Sequence, residues 1–334
     1  MKNSFSTALK GMAMGMAEVI PGVSGGTIAF ITGIYEKLLN TIKAFGPELL
    51  QSFKVGGVKS AWETINGNFL IALVGGMVFG IVAGVFGITH LLDNYPILLW
   101  AFFFGLIMAS AIYVGKQVNQ WNWNSILAII VGAVFAYWIT VAVPAEGNTA
   151  LWFVFLSGMI AISALMLPGI SGSFILLLMG MYTYIVPTVK NALTTFEGES
   201  LLVLGIFGLG ALLGLATFSR VLSWTFKHYK NTTLALLTGF MIGSLNKIWP
   251  WRIPEQWLIK TEDGQYLAPE GTLDYATYQK SLSLGEELKL LVEKNVSHNS
   301  FEQLTNEPNY LIGAIVCVIA GFSVVLLLER ITKQ

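Results

Sequence analysis

The chain breaks its own helices twice, and in the same way. PGVSGG at Pro21–Gly26 recurs as PGISGS at Pro168–Ser173, each inside a long apolar stretch. Proline ends a helix because it lacks an N–H and its ring crowds the preceding turn, and glycine admits backbone conformations closed to other residues. Irregular backbone at membrane depth is tolerated only where it is buried in protein or lines a watery cavity. A matched pair of such breaks, one in each half of a membrane protein, is the best sequence pointer to a transport site.

That the stretches lie in a membrane follows from composition. The 334 residues are 54% hydrophobic and only 11% charged, against about 25% charged in a soluble domain. Several apolar runs approach or exceed the roughly 20 residues that a spanning helix needs. Net charge is zero and no long basic run is present, so nucleic acid is not an expected partner. The single cysteine, Cys317, sits in an apolar run and cannot form an internal disulfide. The N-terminal MKNSFSTALKGMAMGMAEVIPG shows no obvious signal-peptide cleavage site and reads as the first arm of a hairpin.

The expected fold is an all-α integral membrane protein of two inverted-topology repeats. Each repeat is a Pro/Gly-broken, re-entrant helical hairpin followed by three transmembrane helices. Repeat 1 (1–145) has a broken hairpin at 8–41, an amphipathic surface segment at 44–66 and helices at 68–92, 96–115 and 124–143. Repeat 2 (146–334) has a broken hairpin at 150–189 and helices at 200–224, 232–249 and 310–330. Set against each other without gaps, 11–43 and 158–190 share Pro21/Pro168, Gly22/Gly169, Ser24/Ser171, Gly25/Gly172, Gly33/Gly180 and Tyr35/Tyr182.

A hairpin returns to its own side, so a hairpin plus three helices crosses an odd number of times and the two repeats must be inverted. The positive-inside rule agrees. Lys2, Lys10, Lys37, Lys43, Lys54 and Lys59 fall inside, Asp93 outside, Lys116 inside and Glu146 outside. The 190–199 loop then falls outside, and Arg220, Lys227, Lys230, Arg330 and Lys333 inside. Both termini are cytoplasmic on this reading, and the hairpin tips point at each other. Residues 250–309, with ten acidic and five basic residues, form an extracytoplasmic insertion. Trp249, Trp251 and Trp257 suit an interfacial belt, and 284–294 reads as helical.

After each break a new helical arm starts near Ser24 and near Ser171. A helix start offers free N–H groups and a partial positive charge to an anion. Gly22, Gly25, Gly26, Gly169 and Gly172 allow close backbone approach, and Ser24, Thr27, Ser171 and Ser173 add hydroxyls, so opposed tips can cradle a phosphate. The alternative is that these small residues serve only tight helix packing. Glu18 stands three residues before Pro21. An intramembrane carboxylate is costly, and it reads either as the carrier of a coupling proton or cation such as sodium, or as a cap on the break. Arg220 reads as a bidentate phosphate clamp or as a snorkelling positive-inside arginine. Lys247 and His90 sit near outer ends of spans and read as surface residues. No metal-ligand cluster, nucleophile–histidine pairing, nucleotide-binding loop or cofactor fingerprint is present, so transport is secondary or passive.

GMAEVIPGVSGGTIAFITGIYEKLL together with SALMLPGISGSFILLLMGMY resembles the bacterial polyprenyl-phosphate transporter family, formerly a membrane domain family of unknown function. The resemblance covers essentially the whole chain. It implies a plasma-membrane flippase that returns undecaprenyl phosphate from the outer to the inner leaflet, recycling the carrier of peptidoglycan precursors and other envelope sugars. The same motifs also resemble undecaprenyl-diphosphate phosphatases. Where those carry a second glutamate this chain has Met14, and where they carry an arginine after the second-motif serine it has Gly172. The histidine they place after the first motif is missing from 22–40. The resemblance therefore implies the lipid head group without hydrolysis. A small-anion transporter on the same scaffold is a third reading.

Overall fold

The computed structural model describes residues 2–19, 23–142, 144, 147–194, 196–260, 266–267, 275–286 and 288–332. Pro21 and Gly22 of the first break lie outside the described residues, as do Glu146 and Lys333.

The first half opens with α1 (Lys2–Glu18), α2 (Gly25–Ile31) and α3 (Tyr35–Lys43), which span the stretch read from sequence as a hairpin. Next come α4 (Pro47–Thr64), α5 (Gly67–Asn94), α6 (Pro96–Gly115) and α7 (Trp123–Val141). The second half repeats the order with α8 (Leu151–Leu165), α9 (Gly172–Leu178) and α10 (Tyr182–Thr194), then α11 (Gly198–His228) and α12 (Lys230–Ser244), which tightens into a 3-10 turn at Leu245–Ile248. The insertion contains β1 (Arg252–Lys260), β2 (Tyr266–Leu267), α13 (Tyr275–Ser283), β3 (Leu288–Asn295) and α14 (His298–Thr305), and α15 (Leu311–Thr332) closes the chain.

Among the described residues five helices, α5, α6, α7, α11 and α15, are long and apolar enough to cross a membrane. The molecule is therefore a predominantly helical integral membrane protein. It has an inner and an outer ring. α12 and α6 are largely buried, and so is α2. α5, α7, α11 and α15 turn large apolar side chains outward, among them Phe79, Phe86, Val134, Leu209, Leu212 and Ile319. In water such a surface would aggregate. In lipid it is the proper exterior.

Pairing is reciprocal between the halves. α1 lies on α5 and α8 on α11, while α6 pairs with α15 and α7 with α12. So the second long helix of each half packs on the third of the other. Lipid tails are as apolar as leucine, and close backbone approach rather than apolar burial holds such helices together. A Cβ at Gly80 would strike the Met12 carbonyl, and one at Gly210 the Phe155 carbonyl.

Each hairpin is broken twice, not once. After the seven-residue α2 the chain turns at Gly33 (φ +72°), and after the seven-residue α9 it turns at Gly180 (φ +68°). Seven residues rise only about 10 Å, far short of a hydrocarbon core of about 30 Å.

The insertion departs from expectation in two ways. Residues 288–295 form a strand rather than part of a helix. LKLLVEKN consists mostly of good helix formers, but pairing with β1, from Arg252 opposite Asn295 to Ile259 opposite Leu288, overrides local propensity. The sheet order is β2-β1-β3, all antiparallel. The tryptophans are also not free at an interface. Trp257 is only 1% exposed. The indoles of Trp249 and Trp251 donate to the carbonyls of Val296 and Asn309. α4 has no buried residue, and Gly57 (φ +66°) interrupts it.

Candidate functional site

The two breaks meet. α8 ends at Leu165, and the carbonyls that follow a helix end have no partner within the helix. In lipid they must find one elsewhere. They find it in the other hairpin. The Ser24 hydroxyl lies 3.3 Å from both the Leu165 and the Leu167 carbonyls, and the Tyr35 hydroxyl donates to Met166 O at 2.7 Å. In return the Gly169 amide donates to Thr27 Oγ1 at 3.0 Å. Gly26 is pressed so close that a Cβ there would lie 3.2 Å from the Leu165 carbonyl. Together these contacts make a polar seal between hairpins that stand far apart in sequence.

Local capping builds the first tip. Ser24 sits in extended conformation as N-cap of α2 and accepts from the Gly26 amide at 3.1 Å. The Glu18 carboxylate accepts from the Gly25 amide at 2.7 Å. Side-chain oxygens thus satisfy two of the free amides of that helix start. Ser24, Gly25, Gly26 and Thr27 are all buried.

The second tip is looser. Ser171 has nearly the same backbone conformation as Ser24 but makes no capping bond, and its hydroxyl lies 2.8 Å from that of Ser173. Gly169 has φ +85°, and a Cβ there would meet Ser244 Oγ at 2.8 Å. Gly172 packs on α8, where a Cβ would lie 2.5 Å from the Ala161 carbonyl. Beside Gly169 and Ser171 lies a void of about 10 Å³, walled by Thr140, Phe174 and Lys247, which is room for about one water. The same three residues wall a cavity of about 260 Å³ that reaches Glu293 and Asn295 of the insertion.

Of the residues singled out from sequence, Ser24, Gly26, Thr27 and Gly169 meet in the seal, Glu18 and Gly25 bond each other beside it, Gly172 packs on α8, and the hydroxyls of Ser171 and the exposed Ser173 bond each other. Gly22 lies outside the described residues. Arg220 stands apart: Nη1 donates to Ala216 O at 2.6 Å, and Nη2 lies against Gly46, between α3 and α4. Near that end of α11 a cleft of about 470 Å³ is lined by Glu36, Asn40, Lys43, Trp224, Lys227 and His228.

The residue that sequence reading missed is Lys247. Its side chain is only 17% exposed, lies 4.8 Å from the Phe174 ring and is paired at 3.3 Å with Glu293. Arg252 pairs with the same carboxylate oxygen at 2.8 Å and stacks 4.1 Å over Trp100. Burial alone would raise the Glu293 carboxyl, but the charges of Arg252 and Lys247 outweigh it and hold the group below the ordinary carboxylate range. No local signal marked Lys247, because its cover comes from residues distant in sequence, Phe174 of α9 and Glu293 of the insertion. Among the described residues no group of His, Cys, Asp or Glu could hold a metal ion.

The fold defines a predominantly helical integral membrane protein in which the segments beside two sequence breaks are joined by hydrogen bonds. The comparisons narrow the class. Residues 14–266 match a family described as undecaprenyl phosphate translocase-like. A Vibrio cholerae protein named polyprenyl-phosphate transporter is 43% identical over 332 residues, covering 99% of this chain and 98% of its own length. A Staphylococcus aureus protein of the same name is 32% identical over 258 residues, 72% of this chain and 85% of its own length. The chain belongs to the undecaprenyl phosphate translocase-like family, whose members are described as transporters and not enzymes. No solved structure matches it.

Proposed function

We propose that this protein moves a polyprenyl phosphate, undecaprenyl phosphate in particular, from the outer to the inner leaflet of the bacterial plasma membrane. The observation that carries the reading is the polar seal between two broken hairpins in a chain of this family. Every bond of the seal uses a donor that a phosphate oxygen accepts equally well: the Ser24 hydroxyl, the Tyr35 hydroxyl and the Gly169 amide. Parting the tips releases these donors at the place where a head group must cross. The substrate is a small anion on a long apolar tail, so only the head needs the polar route while the tail stays in lipid.

With the two halves inverted and both termini cytoplasmic, the seal can open to one face at a time. Ser24, Gly25, Gly26 and Thr27 line one wall of the route, with Gly22 joined to them by sequence. Gly169, Ser171, Gly172 and Ser173 line the other. Glu18 is the group through which a coupling proton would act, since a neutral carboxyl accepts less strongly than a carboxylate from the Gly25 amide. Arg220 keeps the role of a positive-inside residue.

The test places purified protein in liposomes with undecaprenyl phosphate in one leaflet and follows its appearance in the other. Protein-dependent movement without phosphate release is expected. A folded protein that moves no lipid overturns the reading. Release of phosphate from undecaprenyl diphosphate would make the protein an enzyme, and movement of inorganic phosphate alone a small-anion carrier.

A further inference from the structure

One charged cluster plays no part in the seal. We propose that Lys247 and Arg252 form an outer receiving site for the phosphate head, which Glu293 occupies as an internal counter-ion until a phosphate displaces it. This inference rests on the transport reading above.

The first support is position. Lys247, Phe174 and Thr140 wall both the void beside Ser171 and the cavity that reaches the insertion. An anion held by Lys247 therefore lies next to the tip whose hydroxyls bond only each other. The second support is charge. Two cations, 17% and 6% exposed, share a single carboxylate oxygen. Buried charges need partners, and this cluster holds one more cation than anion. The third support is an unused donor. Arg252 serves Glu293 and the Lys247 carbonyl through Nη1 alone, and its buried Nε has no hydrogen-bond partner. A guanidinium usually engages an oxyanion through two parallel bonds. Here one of them is free, and a phosphate offers more oxygens than the carboxylate it would replace.

The cavity also suits the tail. Its wall includes Tyr137 and Val141 of α7, both about half exposed on the face that carries Val134 and Trp138. A head group at Lys247 thus has an apolar exit to lipid at its side. On this assignment the insertion, which supplies Arg252 and Glu293, is part of the transport site.

The experiment measures the initial transport rate against the fraction of undecaprenyl phosphate in the outer leaflet. It compares wild type with Lys247→Gln, Lys247→Arg and Glu293→Gln. A parallel arm measures stabilisation of each purified protein by inorganic phosphate in a thermal unfolding assay. Lys247→Gln is expected to raise the apparent KM at least tenfold and to abolish phosphate stabilisation, with Lys247→Arg recovering part of both. Glu293→Gln is expected to lower the apparent KM several-fold and to strengthen phosphate stabilisation. A merely structural ion pair predicts instead that Glu293→Gln and Lys247→Gln do equal harm, or none, and either result overturns the proposal. If Lys247→Gln does not fold, the opposite signs expected of Lys247→Arg and Glu293→Gln decide. If wild type moves no lipid, the transport reading fails and the inorganic-phosphate arm alone decides the site: stabilisation that depends on Lys247 supports it, and its absence overturns it.

Discussion

At the first tip Ser24 caps its own helix and reaches two carbonyls of the other hairpin, Thr27 receives the Gly169 amide, and Glu18 closes on Gly25. At the second tip Ser171 holds the same backbone register, with ψ 131° against 132° for Ser24, yet caps nothing. The counterpart of Glu18 there is Leu165, which has no polar side-chain atom. The two matching segments therefore share a backbone shape at Ser24 and Ser171 while their side chains bond differently. The first tip is built into the seal. At the second the two hydroxyls bond each other, and it is the tip beside the cavity and Lys247.

The comparison can be broken most directly at Gly169. Alanine there is forced into a left-handed conformation, which costs about 1–2 kcal/mol. Its Cβ would also lie 2.8 Å from Ser244 Oγ and 3.1 Å from Met241 Cα, overpacking that adds about 1–3 kcal/mol. Thermal unfolding in detergent is expected to show a larger loss of Tm for Gly169→Ala than for any substitution at Glu18, Ser24, Tyr35 or Ser171. A Tm equal to wild type would mean that the seal does not hold the second tip. Glu18→Ala comes next. It strands the Gly25 amide, at about 1–3 kcal/mol, and lowers both Tm and transport. Glu18→Gln sharpens the point, because its amide oxygen still accepts from Gly25. Its Tm is expected to stay near that of wild type while transport falls, and normal transport would remove Glu18 from any coupling role. Tyr35→Phe deletes one buried bond to Met166 O and is expected to cost about 1 kcal/mol.

How much of this was legible in the sequence follows from how local each cause is. Long apolar runs mark α5, α6, α7, α11 and α15, because length and hydrophobicity alone decide a lipid-facing helix. The proline-containing breaks are equally plain. The second turn in each hairpin was visible only as the matched pair Gly33 and Gly180, since a lone glycine in an apolar run is compatible with a continuing helix. β3 and the burial of Lys247 were not legible at all. Both depend on residues of β3 that lie far along the chain from β1 and Lys247. That two tips face each other was an expectation of the sequence reading. Which atoms would meet was not, because the partners of Ser24 and Tyr35 are backbone carbonyls, and any residue supplies those.

The smallest stability effect is expected at Ser171, and it is the most telling. Ser24→Ala removes an N-cap and two interhairpin contacts, and caps alone are worth about 1 kcal/mol. Ser171→Ala removes a hydroxyl whose partner is Ser173, and should change stability by less than about 0.5 kcal/mol. If that hydroxyl is held in reserve for the head group, its loss removes a bond to a charged oxygen worth about 1.5–3 kcal/mol. Transport should then fall about tenfold or more, at nearly unchanged Tm. The two serines should therefore separate the two readouts. Ser24→Ala moves stability at least as much as transport, and Ser171→Ala moves transport almost alone. Equal loss of stability at both would show that the tips are equivalent supports, and normal transport in Ser171→Ala would place the head group elsewhere than the second tip.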